Sequence, residues 1–433
     1  MEVRIAALAG GLRSEGVRRG DVVAWQAPNW HESLLLFRAC WRLGAIAAPV
    51  HHQAAAAEVE RMLRQVDPVL TLGRDDVRGT RFETLGRGQP VVESSATPSD
   101  PAVALFTSGS TGEPKAAIHT QQGLAYKATT MARAHGLTSD DATLTPAPLA
   151  HISGLLNAVL LGGATPMCAV LMDRWDPERA LASIGEERIT FMIGPPTFFV
   201  SLVHAPAFAP ERVETMRLVS CGGAGVTPAF VVEASHALGA RVKRTYGSTE
   251  APTVTTTTPD DSERDARETD GRAVGEVELL LGDHDELLLR GPELFVGYAD
   301  PDQTAAAIDD GWFRTGDVAR LDDGWLTIVG RIKDVIIRGG ENIAAGEVEA
   351  VLEAHPAVRQ AVAVGQPDEV MGERVCAFVV ADGPFDVEAC RAWFAEQGVA
   401  RFKTPERVVE VAELPLLAAG KPDRAELSRR ARA

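Results

Sequence analysis

Leu105-Phe-Thr-Ser-Gly-Ser-Thr-Gly-Glu-Pro-Lys115 is the stretch on which the reading of this chain turns. It continues an apolar run, Ala102-Val-Ala-Leu-Phe106, that reads as a buried strand, and it closes on Pro114-Lys115. Between them, Gly109 and Gly112 let the backbone bend around a bulky anion and aim successive N–H groups at it. Thr107, Ser108, Ser110 and Thr111 add hydroxyl donors, and Lys115 adds a mobile positive charge. The stretch suits a polyphosphate, although an ordinary Gly/Ser surface loop has the same composition. It is not a Walker A loop, because no Gly-Lys-Ser/Thr closes it, and its glycine spacing is not that of a dinucleotide fingerprint.

Upstream, apolar strands alternate with amphipathic helices. A helix carrying Ile5, Leu8 and Leu12 stops at Gly16, and Val22-Val-Ala-Trp-Gln26 follows as a strand. Asn29 is expected to cap the helix 31–43, which ends at Gly44. A strand over 45–50 and a helix over 54–65 come next, and the polar segment 73–100 then leads into the loop. This alternation predicts an α/β fold whose parallel sheet is covered on both faces.

Downstream the alternation resumes from Gln121 to Val242. Pro148-Leu-Ala-His-Ile-Ser-Gly154 opens a helix with His151 at its start. Cys221-Gly-Gly-Ala-Gly225 follows a strand, and there Gly222, Gly223 and Ala224 leave room for a flat ligand or merely form a tight turn. Tyr246-Gly-Ser-Thr-Glu250 ends another strand. Glu250 is a candidate Mg²⁺ ligand and Thr249 a candidate phosphate contact, the alternative being a solvated loop end.

From 255 to 272 the chain is polar, charged and helix-poor, so it reads as a surface loop or sub-domain boundary. Residues 276–281, 286–290 and 325–329 then alternate like hairpin strands of a small antiparallel or barrel-like piece. Trp312-Phe-Arg-Thr-Gly-Asp317 lies among them, and Asp317 is either a ribose-binding carboxylate or a turn aspartate. Gly330-Arg-Ile-Lys-Asp-Val-Ile-Ile-Arg-Gly-Gly340 reads as a domain junction, after which an α+β unit runs to the end with Gly420-Lys421 in a loop.

Length and charge bound the answer. The chain has 433 residues, enough for more than one domain, and a formal net charge of −17, which argues against nucleic acid or an anionic membrane as partner. Five scattered cysteines without a CxxC pair suggest a reduced, cytoplasmic protein without structural zinc. The uncharged run 152–172 approaches membrane-span length, but Gly162-Gly163 and Pro166 divide it, so it reads as core.

Taken in order, the motif ending at Lys115, Tyr-Gly-Ser-Thr-Glu250, Trp-Phe-Arg-Thr-Gly-Asp317, Gly330-Arg-Ile-Lys-Asp with Gly339-Gly-Glu-Asn-Ile343, and Gly420-Lys421 resemble the AMP-forming acyl-CoA synthetases, the adenylate-forming superfamily of luciferase and peptide-synthetase adenylation domains. The likeness covers nearly the whole chain. It implies a large N-terminal domain, 1–332, of parallel-sheet sub-domains and the barrel-like piece, with a small mobile α+β C-terminal domain, 333–433. It also implies a carboxylic acid activated by ATP and Mg²⁺ and passed to coenzyme A, with a homodimer compatible.

On that resemblance, Thr107 to Lys115 wrap the β- and γ-phosphates, Glu250 holds the metal and Thr249 touches phosphate. Gly222, Gly223, Ala224, Tyr246 and Gly247 flank adenine, and Asp317 and Arg331 hold the ribose. Lys421 bridges carboxylate and α-phosphate, Lys333 is the hinge, Gly339, Gly340 and Glu341 enter the site for thioester formation, and His151 gates the acyl pocket.

The segment Ala150-His-Ile-Ser-Gly154 lacks the acid that pairs an amino-acid ammonium, so an uncharged fatty, alicyclic or aromatic acid is expected, nearest to ligases for fatty acids or cyclohexanecarboxylate. Three departures stand out: the chain begins where the family's first helix lies, Ala116 replaces the usual glycine after Lys115, and Pro422 replaces an aliphatic residue after Lys421. Two alternatives remain open: an acyl-AMP ligase serving a carrier protein, and a silent nucleotide-binding regulator.

Overall fold

The apolar runs assemble into four sheets. The structure, a computed structural model, describes residues 1–108, 114–416 and 422–432. In the first sheet, β1 (Val22–Gln26) lies between β2 (Ile46–Val50) and β3 (Leu70–Leu72), all parallel, and β2 runs parallel to β4 (Pro101–Ser108). β1 and β2 are apolar on both faces because helices cover both, as expected for parallel strands.

β4 pairs antiparallel with β5 (Pro114–Thr120), a strand the sequence does not announce, and Thr107 stands opposite Lys115. The two ends of the expected phosphate loop are therefore pinned across a hairpin. The polar segment 73–100 contains two short helices, Arg74–Val77 and Thr80–Leu85.

The second sheet has five parallel strands, β6 (Ala142–Thr145), β7 (Cys168–Leu171), β8 (Phe191–Gly194), β9 (Leu218–Gly222) and β10 (Arg241–Tyr246), in the order β10-β9-β8-β6-β7. The expected loop 255–272 instead supplies β11 (Thr255–Thr256), the helix Glu263–Glu268 capped by Ser262, and β12 (Arg272–Ala273), which extend this sheet antiparallel beyond β10. Polar strands at a sheet edge carry no apolar periodicity, so their sequence resembles a loop.

The third sheet is antiparallel: β13 (Glu278–Leu281), β14 (Glu286–Arg290), β16 (Ile308–Asp309), β17 (Trp312–Asp322) and β18 (Trp325–Arg331). Between β14 and β16, the two-residue β15 (Gly297–Tyr298) joins the first sheet on β5. The fourth sheet comprises β19 (Val335–Arg338), β20 (Glu341–Ala344), β21 (Val358–Asp368), β22 (Gly372–Ala381) and β23 (Arg407–Glu410).

One core joins the first two sheets, with Trp25, Phe37 and Leu105 packed in the same cluster as Leu155, Leu156, Leu161 and Phe191. The C-terminal sheet has a core of its own around Ile336, Leu352, Val375 and Phe394. The run 152–172 was expected to be core throughout, but only 154–161 and Met172 are buried; Gly162, Gly163, Ala164, Pro166 and Cys168 are exposed where the chain breaks into Ile152–Gly154, Leu155–Leu160, Leu161–Ala164 and β7. Among the described residues no helix is long and apolar enough to cross a membrane.

Candidate active site

Parallel strands leave their most useful opening at their carboxyl ends, where several chain segments converge. Here the two parallel sheets share such a crevice, and one buried side chain joins their rims. Asn29, which leaves β1, was expected to cap the next helix, but Trp30 occupies that position and Asn29 turns inward. Its amide donates to the carbonyls of Ala147 at 2.8 Å and Met172 at 3.0 Å, and its Oδ1 accepts from Leu149 N–H at 2.8 Å. A cap needs only one local acceptor; a 5% exposed asparagine facing several carbonyls satisfies more polar groups by bridging the sheets.

On one side, Tyr246 at the end of β10 meets Asp317 in β17. The Tyr246 hydroxyl donates to Asp317 Oδ2 at 2.6 Å, and Arg331 Nε lies 2.8 Å from Oδ1. Asp317 and Arg331 stand directly opposite across the β17–β18 ladder, so Asp317 is a strand residue and not a turn aspartate. Burial, then the Asp317 charge, pushes the Tyr246 phenol well above its ordinary pKa, so it remains a donor.

Gly222, Gly223 and Ala224 leave β9 beside this cluster. A Cβ at Gly222 would lie 2.3 Å from the Thr245 carbonyl, and Gly223 has φ 78°, so the close strand approach and the bend both require glycine.

On the other side, residues 247–250 curve from β10 toward β5. His119 Nε2 donates to the Thr249 carbonyl at 2.7 Å, and burial lowers that imidazole to about 4, which keeps it neutral. Glu250 Oε1 accepts from the Tyr298 hydroxyl at 2.8 Å, and Lys115 Nζ lies 5.0 Å from the centre of the Tyr298 ring. Beneath this segment, Thr253 adopts φ 38°, and its carbonyl is held at 2.9 Å by Lys127, which pairs with Glu293 at 3.1 Å; both charged side chains are fully buried. Gly109, Ser110, Thr111, Gly112 and Lys421 lie outside the described residues.

His151 stands at the start of Ile152–Gly154 but makes no side-chain cap bond to it. Its ring meets His51, just beyond β2, edge-on at 5.4 Å, and His51 stacks on His52 at 4.8 Å. Burial, with a smaller contribution from His52, lowers His51 to about 4. This side of the crevice therefore presents a neutral imidazole.

Lys333 is exposed on the single turn Ile332–Asp334 that joins β18 to β19. Gly339, Gly340 and Glu341 form the tip of the β19–β20 hairpin, with φ 59° and 90° at the glycines, and this tip bonds to Met371 in the fourth sheet rather than to residues 246–250. The C-terminal unit meets the rest through Glu347, which pairs with Arg320 of β17.

The structure thus joins Lys115 to Glu250 through Tyr298, and Tyr246 to Asp317 and Arg331, with residues 246–250 linking the two clusters. Tyr298, Asn29 and His51 escaped sequence reasoning. Gly297-Tyr298 carries only a two-residue strand, and Asn29 reads as an ordinary cap.

Residues 1–299 match the family described as AMP-binding enzyme, and residues 347–421 match the AMP-binding enzyme C-terminal domain. A medium-chain fatty-acid–CoA ligase of Escherichia coli K12 is 31% identical over 464 residues, covering 96% of this chain and 82% of that one. The indoleacetate–CoA ligase of Aromatoleum aromaticum is 33% identical over 458 residues, covering 96% and 89%. The crystal structure of ATP-bound MatB from Rhodopseudomonas palustris superposes with a TM-score of 0.91 at 27% identity, covering 99% of this chain and 92% of that one.

Proposed function

The chain belongs to the AMP-binding enzyme family, and on that premise we propose that it is an AMP-forming acyl-CoA synthetase. A carboxylate attacks the α-phosphorus of ATP, giving an acyl-adenylate and releasing pyrophosphate. The thiol of coenzyme A then attacks the acyl carbon and AMP leaves. AMP departs far more readily than oxide, so the first step needs charge neutralisation and alignment more than covalent help.

The observation that carries this reading is the pair of linked clusters on residues 246–250. Tyr246 with Asp317 and Arg331 suits a ribose and the base beside it, with Gly222, Gly223 and Ala224, at the end of the neighbouring strand, flanking adenine. Lys115 with Thr107 suits the polyphosphate, with Thr249 at its edge.

Mg²⁺ binds through one or two carboxylates together with phosphate oxygens and water. Glu250 fits that role: it is a hard oxygen donor set between the two clusters, oriented by Tyr298. When bound, the ion supplies positive charge against the phosphates. Lys421 supplies a further cation where charge accumulates between carboxylate and α-phosphate.

The hinge lies at Lys333, dividing 1–332 from 333–433. Rotation about it exchanges Lys421 for Gly339, Gly340 and Glu341, a domain motion absorbed by a few residues. His151 gates the acyl pocket. The neutral His51 beside it, and the absence of an acid in residues 150–154, support an uncharged fatty, alicyclic or aromatic acid. The five unpaired cysteines support a reducing, cytoplasmic setting.

Pyrophosphate release with a panel of carboxylates, with and without coenzyme A, tests the proposal. An acyl-CoA synthetase forms thioester with at least one uncharged acid. Lys421→Ala stops adenylate formation yet still converts a supplied acyl-adenylate to thioester. Equal loss of both half-reactions counts against its assigned role.

A further inference from the structure

We propose that Tyr298 is the positioning residue that binds the metal-carrying carboxylate and the phosphate-binding lysine into one array; this rests on the roles given above to Glu250 and Lys115. The tyrosine is itself held from several sides. β15 pairs with β5 so that Tyr298 stands opposite Ala117, two residues beyond Lys115. Its N–H donates to Thr304 Oγ1 at 2.8 Å, and the Phe295 ring meets its ring edge-on at 4.9 Å. Phe295 N–H in turn donates to the backbone carbonyl of Glu250 at 2.8 Å, so one short segment fixes both the main chain and the side chain of that glutamate. Gly297 permits the approach: its φ is 142°, and a Cβ there would lie 2.7 Å from Thr304 Cγ2.

Two different forces then act through one side chain. The hydroxyl donates to Glu250 Oε1 at 2.8 Å, orienting the carboxylate without neutralising it. The ring face carries the negative end of its quadrupole toward Lys115 Nζ, 5.0 Å from the centroid. The hydrogen bond serves the metal ligand and the ring serves the phosphate loop, and substitution separates them.

The test is calorimetric binding of α,β-methylene-ATP to the full chain, with and without Mg²⁺, in the native protein, Tyr298→Phe and Tyr298→Leu. Tyr298→Phe keeps the ring and loses the hydrogen bond, so the enhancement of binding by Mg²⁺ falls about tenfold while metal-free binding stays within about twofold. Tyr298→Leu loses that enhancement too, and its metal-free binding weakens about three- to fivefold. A merely structural role lowers both affinities together and leaves their ratio unchanged, which overturns the proposal. An unchanged Mg²⁺ enhancement in Tyr298→Phe also overturns it. If the native protein takes up no analogue, the nucleotide-site reading falls as well.

Discussion

Asp317→Ala offers the sharpest check on the nucleoside site. The carboxylate is only 4% exposed and already engages the Tyr246 hydroxyl at 2.6 Å and Arg331 at 2.8 Å. Two ribose hydroxyls added to this group form charge-assisted bonds worth about 1.5–3 kcal/mol each. Because the oxygens are shared with Tyr246 and Arg331, the lower value applies, about 3 kcal/mol for the pair. At 1.4 kcal/mol per factor of ten, this is roughly a hundredfold preference for ATP over 2′,3′-dideoxy-ATP.

The native protein should show that preference in the KM for pyrophosphate release. In Asp317→Ala the KM for ATP should rise by about the same factor, and the preference should collapse toward one. The Tyr246 hydroxyl is left without its acceptor, so a stability loss of about 1–3 kcal/mol should appear in thermal unfolding. Asp317→Asn keeps an acceptor oxygen and should recover most of that stability while discriminating poorly. An Asp317→Ala protein that still prefers ATP over the dideoxy analogue by the native ratio refutes the ribose assignment, whatever happens to its stability.

Glu293→Ala strands the buried Lys127 ammonium and should destabilise the protein by about 3–5 kcal/mol, with activity failing at lower temperature because Lys127 also holds the carbonyl of Thr253; the double variant Lys127→Met/Glu293→Leu should restore much of the stability, and equal thermal midpoints for the single variant and the native protein would contradict this. Glu353, at the end of the helix Ala345–Glu353, is raised to about 8 by burial, against an ordinary value of 4.5. The folded state therefore holds this proton more tightly than the unfolded one. Its contribution to stability is complete below about pH 4.5 and is lost as pH rises to about 8. Glu353→Gln should flatten that part of the stability-against-pH curve, and an unchanged slope assigns the dependence to other groups.

Part of the candidate site was legible because its residue types lie close together in sequence. The strand that ends in hydroxyls and glycines before Lys115 marks a candidate phosphate loop through its composition. The segment Tyr-Gly-Ser-Thr-Glu250 marks a candidate metal site through one carboxylate placed at a strand end. The strands Val22–Gln26 and Arg241–Tyr246, and the helices His31–Leu43 and Ala345–Glu353, follow from apolar periodicity and glycine stops. The short strands Thr255–Thr256 and Arg272–Ala273 did not, because a polar strand two residues long has no period to read.

Order and chemistry along the chain were enough to specify the alternating α/β layout and the antiparallel piece that follows it, and to single out candidate residues for phosphate, ribose and metal. Tertiary structure alone decided which of them meet. Asn29 looks like a helix cap until carbonyls from the neighbouring sheet surround it, and Asp317 looks like a turn residue until Arg331 appears across a ladder. Tyr298 gains its position only when a two-residue strand pairs with β5. Such contacts join residues 14 to 143 positions apart, Asp317 with Arg331 and Asn29 with Met172, and no local pattern records a partner chosen by the packing of sheets.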